Sequence, residues 1–192
     1  MPKLLEAYCK LNPMTRFMIQ PTPVSSLKNE VLADSIDLAF ILEKPFHRQG
    51  LTVHTYQAEE IVLVCSPTHP LTSKHNLSVH DLVNEHLLLT EKGCCYRHQF
   101  ELHLIEAGIL NNSNVSEFIS IETIKECAKL GIGIAALSVA SVKKELEDEE
   151  LVVLTPKGMT LSSNIHCVYN AKQEHAPQVE KLIEFCLSYQ FN

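Results

Sequence analysis

The sequence alternates short apolar runs of strand length with longer runs in which apolar residues recur at helical spacing, and this alternation continues along the whole chain. The run from Ile36 to Leu42 has the length and composition of a parallel strand that is covered on both faces. The run Leu87 to Leu89 is followed by an amphipathic stretch from Tyr96 to Ala107. Strands that alternate with helices in this way favour an α/β fold.

The predicted elements form two groups, because the pattern breaks at Pro67 to Pro70 and again at Gly158 to Ser163. It predicts helices at residues 4–9, 24–31, 121–130, 139–146 and 176–189, and extended or strand segments at 17–19, 51–56, 61–65, 115–119, 132–137, 151–154 and 165–169. We therefore expect two lobes joined by two strands, with residues 1–65 and 164–192 in the first lobe and residues 66–163 in the second. In such a layout the ligand lies in the crevice between the lobes, at the carboxyl ends of the strands.

Composition excludes several classes of function. No apolar run approaches the roughly 20 residues that span a bilayer, and the first residues lack the basic-then-apolar pattern of a secretion signal. We therefore expect a cytoplasmic protein without membrane contact. Seven cysteines, most of them at apolar positions, indicate free thiols and no disulfide framework. A formal net charge of -7 with no dense run of Lys or Arg argues against nucleic-acid binding by this part of the protein.

The turn from Thr90 to Arg97 is the best candidate for a ligand site. A strand that passes through a glycine into a helix leaves unpaired backbone N–H groups facing the turn, and the helix dipole attracts anions there. The alternative is an ordinary strand-to-helix connection with no ligand, since a single glycine turn is weak evidence.

Four segments in order resemble the effector-binding domain of LysR-type transcriptional regulators, and together they cover essentially the whole chain. They are residues 2–13, 32–40 and 62–71, and the run from Ser120 to Leu137 that contains Leu130-Gly-Ile-Gly133. The resemblance implies a fold like the type 2 periplasmic binding proteins, with two Rossmann-like lobes and a small-molecule inducer in the interlobe cleft. It also implies a homodimer or tetramer, and DNA contact only through an N-terminal winged helix-turn-helix domain that this chain lacks. The first strand of the first lobe, which family members usually have before the helix at Pro2, is also expected to be missing.

Carried onto this sequence, the resemblance implies a set of effector-binding positions. They are Thr22, which precedes a first-lobe helix, Ser120, which opens a second-lobe helix, and the turn residues Thr90, Gly93, Cys94, Cys95, Tyr96 and Arg97. Two helix N-termini and several hydroxyl groups favour a small carboxylate, which Arg97 would bind bidentately. Thr22 is alternatively the N-cap of its own helix, and Arg97 is alternatively a solvated cation of the first helical turn.

The cysteines and histidines of the chain suggest two further chemistries, thiol oxidation and metal binding. Cys94 and Cys95 lie at a predicted helix N-terminus near cationic side chains, where a thiol is partly ionised and can be oxidised. Plain ligand contact or packing is the alternative, because no cysteine lies between Cys95 and Cys127. The ten histidines lack the spacing of metal sites, and no catalytic motif occurs. We therefore expect neither a metal, a cofactor nor enzymatic activity.

The expected function is effector sensing for transcription regulation. A solute-binding transport protein is the alternative, with a small enzyme of similar fold in third place, since fold alone does not separate them.

Overall fold

The computed structural model of the chain describes residues 2–112, 114–172 and 175–190. Contacts within the chain divide it into two compact units, which we call unit 1 (residues 1–58 and 164–192) and unit 2 (residues 59–163). Across the described residues the helices are α1 Pro2–Leu11, α2 Val24–Leu32, α3 Cys95–Glu106, α4 Ile121–Lys129, α5 Val139–Glu147 and α6 Pro177–Ser188. The strands are β1 Ala39–Glu43, β2 Leu51–Cys65, β3 His86–Thr90, β4 Asn114–Phe118, β5 Ile134–Ser138, β6 Val152–Leu154 and β7 Leu161–Asn170. Strands β2 and β7 each have residues in both units.

Unit 1 is built on an antiparallel pair of strands. Strand β1 pairs with β7 in a register that places Ala39 opposite Val168 and Glu43 opposite Asn164. Helix α2 packs its buried Leu27 and Val31 on this pair. Helices α1 and α6 lie together, with the rings of Tyr8 and Phe185 in edge contact at 5.2 Å.

Three sequence-based expectations are corrected in unit 1. The run from Ile36 to Leu42 is not a parallel strand, since its strand begins at Ala39 and runs antiparallel to β7. Residues 17–19 lie outside any strand, and Met18 is 93% exposed. The two strands predicted at residues 51–56 and 61–65 are one continuous strand. In its polar middle, the buried Glu59 accepts a hydrogen bond from the backbone N–H of Ala140.

Unit 2 contains the parallel part of the structure. Strand β3 lies between β4 and β5 and runs parallel to both, while β2 pairs antiparallel with β5 and with β6. Parallel strands bring their carboxyl ends to one edge of the sheet. At this edge β3 leads to α3, β4 leads to α4 and β5 leads directly into α5.

The core of unit 2 packs the strands against α4 and α5. It consists of Val62, Val64, Leu88, Ile124, Ala128, Ala135, Leu137, Val142 and Leu151. Gly133, just before β5, brings the backbone close to β3: a Cβ atom at this position would lie 2.2 Å from the carbonyl oxygen of His86. Only glycine allows β5 to approach β3 this closely. Within the described residues, no helix is both long and apolar enough to cross a membrane.

Candidate functional site

Three helix N-termini of unit 2 follow parallel strands, so the backbone N–H groups at their starts lie at the same edge of the sheet. Thr90, the last residue of β3, pairs in register with Phe118, the last residue of β4. Ser120 follows two residues later, as the N-cap of α4. Helix N-termini attract anions, because their first N–H groups have no partner inside the helix.

Two of the three helix starts carry caps from this chain. The Ser120 hydroxyl accepts from the backbone N–H of Thr123 at 3.3 Å at the start of α4. At the start of α5, the Ser138 hydroxyl accepts from the N–H of Ser141 at 3.3 Å, and a Glu59 oxygen accepts from the N–H of Ala140 at 2.9 Å. The start of α5 therefore already holds a carboxylate.

The start of α3 differs from the other two, because its N-cap residue, Cys94, makes no capping hydrogen bond with its side chain. The preceding Gly93 has a φ of +99°, in the left-handed region that favours glycine. The N–H of Cys94 donates to the Glu91 carbonyl at 3.3 Å and closes the turn. Of these three helix starts, α3 is the one without a side-chain cap.

Thr90 places a buried hydroxyl at the beginning of this turn. The residue is 4% exposed, and its Oγ1 has no hydrogen-bond partner among the described residues. Burial raises the pKa of Tyr96, the Cys94 thiol raises it further, and the nearby Thr90 hydroxyl acts in the opposite direction. The Thr90 and Tyr96 hydroxyl groups are thus neighbours, although they form no hydrogen bond of normal geometry. A buried hydroxyl without a partner costs free energy, so a ligand atom that bonded to it would recover that cost.

Arg97 is buried and bonded within the protein, so its interpretation as a solvated cation is wrong. It is 4% exposed. Its Nε donates to Glu101 at 2.8 Å, and its Nη1 donates to the Thr90 carbonyl at 2.5 Å and to Glu117 at 2.6 Å. Burial alone would lower the pKa of Arg97, but the two carboxylates outweigh it and raise the pKa. The guanidinium does fold back toward the turn, and its predicted contact with an anion would have to compete with two carboxylates.

The two adjacent cysteines occupy different surroundings. Cys94 is buried. Cys95 is half-buried, and its sulfur lies 3.1 Å from the hydroxyl oxygen of the buried Ser163. Cys95 is therefore the more accessible thiol of the pair.

Thr22 belongs to unit 1, whereas the other predicted site residues belong to unit 2. It is half-buried and precedes α2, whose N-cap is Pro23. The alternative in which Thr22 caps this helix is therefore wrong. Its contact with an effector stays a prediction.

Sequence reasoning missed four residues at this edge, namely Glu59, Glu117, Ser138 and Ser163. Ser138 carried a usable signal, since it stands between an apolar run and a helix, as a hydroxyl N-cap does. The other three have partners 20 or more residues away in sequence, which no local pattern shows. Within the described residues, no group of three or more His, Cys, Asp or Glu side chains could hold a metal ion.

Comparison with known proteins identifies the family. A family model described as the LysR substrate binding domain matches residues 1–190. The chain belongs to this family. The sequence-based identification of the LysR effector-binding domain is thus confirmed.

Curated relatives of this LysR domain are transcriptional regulators. The chain is 33% identical over 147 residues to the uncharacterized HTH-type transcriptional regulator YwqM of Bacillus subtilis, a match that covers 76% of the chain and 50% of YwqM. It is 26% identical over 160 residues to the HTH-type transcriptional activator CmpR of Synechocystis, covering 83% of the chain and 52% of CmpR. The chain thus spans about half the length of these relatives.

Solved structures similar to this LysR domain confirm the predicted α/β fold. The regulatory domain of Synechocystis CcmR in complex with 2-PG matches with a TM-score of 0.82 and 20% identity, covering 97% of this chain and 89% of that one. The effector-binding domain of QuiR in complex with shikimate matches with a TM-score of 0.77 and 15% identity, covering 98% and 88%. At these identities the similarity shows the fold alone.

Proposed function

We propose that this chain is the effector-sensing regulatory domain of a LysR-type transcriptional regulator, and that its effector binds at the turn from Thr90 to Arg97. The observation that carries the proposal is the start of α3, which has no side-chain cap and lies beside the unpartnered Thr90 hydroxyl. Regulatory domains of similar fold are described in complex with 2-PG and with shikimate. These descriptions support a small molecule as the effector.

The chemistry of the turn favours a small carboxylate. The backbone N–H groups of Gly93, Cys95 and Tyr96 and the Thr90 hydroxyl are hydrogen-bond donors, whereas the N–H of Cys94 is already bonded to the Glu91 carbonyl. The helix dipole adds positive potential at the same place. The start of α5 binds a carboxylate of this chain, that of Glu59, with a backbone N–H. An effector carboxylate at α3 would use the same interaction. Ser120, whose hydroxyl already accepts from Thr123, still has its own proton to donate. Thr22 and Arg97 complete the proposed effector-binding set.

We also propose DNA binding and an oligomeric state for the whole protein. The relatives are named as HTH-type regulators, which supports DNA binding through an N-terminal domain and favours a regulator over a transport protein. We also propose that this regulator works in the cytoplasm and has no catalytic activity. We propose a homodimer or tetramer, in which α1 and α4 supply the contact between copies. Leu11 and Leu130, at the ends of these helices, are 71% and 77% exposed.

A thermal-shift screen of matched ligand pairs tests the proposed effector class. Each pair consists of a small carboxylic acid and its primary amide, so that the two members differ mainly in charge, and neutral sugars complete the library. A ligand at one hundred times its dissociation constant stabilises the folded state by about 2.7 kcal/mol. We expect stabilisation by an acid and none by its amide or by the sugars. A hit that acts equally well as acid and as amide would contradict the carboxylate while leaving the sensing role intact.

A further inference from the structure

The side chain of Arg97 joins three elements of unit 2 that are separate in sequence. Arg97 belongs to α3, the Thr90 carbonyl ends β3, and Glu117 belongs to β4. The third partner of Arg97, Glu101, lies one turn further along α3 and therefore connects no additional element. The planar guanidinium suits this task, because it presents several N–H donors in fixed directions.

Through Glu117, the bonds of Arg97 reach the end of the neighbouring strand β4. Glu117 pairs in register with Leu89 and precedes the N-cap of α4, Ser120, by three residues. Arg97 therefore ties the beginning of the turn to the strand that leads into the next helix. Its two carboxylate partners differ in exposure, since the side chain of Glu101 is 26% exposed and that of Glu117 is 47% exposed.

We propose that Arg97 is a positioning residue, which fixes the turn at residues 91–94 against the end of β4 by bonding the Thr90 carbonyl and Glu117 together. It thereby sets the geometry of the N–H groups that face the effector. This inference rests on the proposed function, because it concerns the same turn. It assigns Arg97 an effect on effector affinity that requires no contact with the effector.

Cys95 provides a probe of the turn that needs no effector. The protein is treated with iodoacetamide, and the alkylation rates of Cys95 and of the exposed Cys9 are compared by peptide mass spectrometry. In Arg97→Gln we expect the Cys95 rate to rise roughly tenfold relative to Cys9, because local opening of the turn exposes the thiol. An unchanged Cys95 rate in this variant would overturn the proposal.

Lys125→Gln is the matched control for loss of a buried cation. Lys125 is 7% exposed and pairs with Glu145 at 2.8 Å, and it lies on α4 near the half-buried Cys127. We expect this variant to leave Cys95 unchanged while it speeds alkylation of Cys127. An equal rise at Cys95 would show general loosening of unit 2 and would contradict positioning by Arg97.

Variants that each remove one carboxylate partner of Arg97 test the proposal even if Arg97→Gln does not fold. Glu117→Ala and Glu101→Ala each remove one partner of Arg97, but Glu117 alone of the two lies on β4. We expect Cys95 to react several-fold faster in Glu117→Ala and at the wild-type rate in Glu101→Ala. Equal rates in the two variants would refute the link to β4.

Arg97→Lys separates geometry from charge. A lysine keeps the positive charge but lacks the guanidinium fork, so we expect faster Cys95 alkylation than in the wild type. Recovery of the wild-type rate would show that charge alone suffices and would overturn the proposal. All of these rates are measured without effector. A failed carboxylate screen with the expected rates would therefore count against the effector class and not against the role of Arg97.

Discussion

Thr90→Val is expected to stabilise the free protein and to weaken effector binding. Valine has nearly the shape of threonine, and the change removes a buried hydroxyl that has no hydrogen-bond partner in the described part of the chain. Leaving such a group unsatisfied costs about 1–3 kcal/mol. We expect a gain near the lower limit, about 1 kcal/mol, because the neighbouring Tyr96 hydroxyl offers some polar contact. In a chain of this size, that gain raises Tm by about 2–4 °C.

The measurement is urea unfolding followed by circular dichroism, together with a thermal scan without ligand. Thr55→Val is the matched control, since the Thr55 hydroxyl lies 2.9 Å from Nδ1 of the fully buried His166. The same substitution should lower the free energy of unfolding there by about 1 kcal/mol, because a hydrogen bond is lost. If Thr90→Val destabilises the protein as much as the control does, the Thr90 hydroxyl is bonded and the reasoning is refuted.

Thr90→Val is also expected to lower the affinity for the effector. A hydrogen bond to a charged group contributes about 1.5–3 kcal/mol, so Thr90→Val should weaken a carboxylate hit by at least tenfold in isothermal titration. Thr55→Val should leave the dissociation constant unchanged. Unchanged affinity in Thr90→Val would remove Thr90 from the site.

Three other expectations concern thiols, pH and assembly. Mild peroxide should oxidise Cys95 before Cys65, because burial raises the pKa of Cys65 to about 12; equal rates in peptide mass spectrometry would make Cys95 an ordinary thiol. The hydrogen bond from Lys125 lowers the pKa of Glu145 below its usual 4.5. The stability that this ion pair contributes is present above pH 4.5 and is lost as pH falls through the lowered pKa. The free energy of unfolding of Lys125→Met, measured in urea, should therefore depend less on pH between 5 and 3 than that of the wild type. An identical pH dependence would show that the pair of Lys125 and Glu145 does not contribute to acid stability. Leu130→Glu places a charge on the exposed end of α4 and should shift sedimentation from dimer to monomer, whereas an unchanged dimer would mean that α4 is not in the contact.

The parts of the structure that sequence predicts well are those with local causes. The strand at Leu87 to Leu89, the glycine turn and the helix that follows are all encoded by adjacent residues, and the structure has them within one or two residues of the predicted bounds. Residues 17–19 show the limit, because an apolar triplet has strand character whether or not a neighbouring strand is there to pair with it. Strand pairing is non-local, so the pattern alone predicted the wrong state.

The side-chain contacts of the candidate site are likewise predictable from sequence only where their causes are local. The uncapped start of α3 follows from residues that are adjacent in sequence, and hydroxyl caps such as Ser120 carry a recognisable signal. The bonds of Arg97 could be predicted only in part. Glu101 stands four residues along the same helix, a spacing at which side chains meet. Glu117 is reached only through the parallel register of β3 and β4, which the sequence does not specify.

The close approach at Gly133 restricts how this domain can diverge or be redesigned. Any side chain there would collide with a backbone atom, the His86 carbonyl oxygen, and a backbone atom cannot rotate aside as a side chain can. Substitution therefore requires β3 and β5 to separate, and β3 carries the turn at its end. Among variants of this chain, a library that randomises position 133 should return glycine alone from a selection for folded protein. The same library would reveal a displaced β3 if another residue survived.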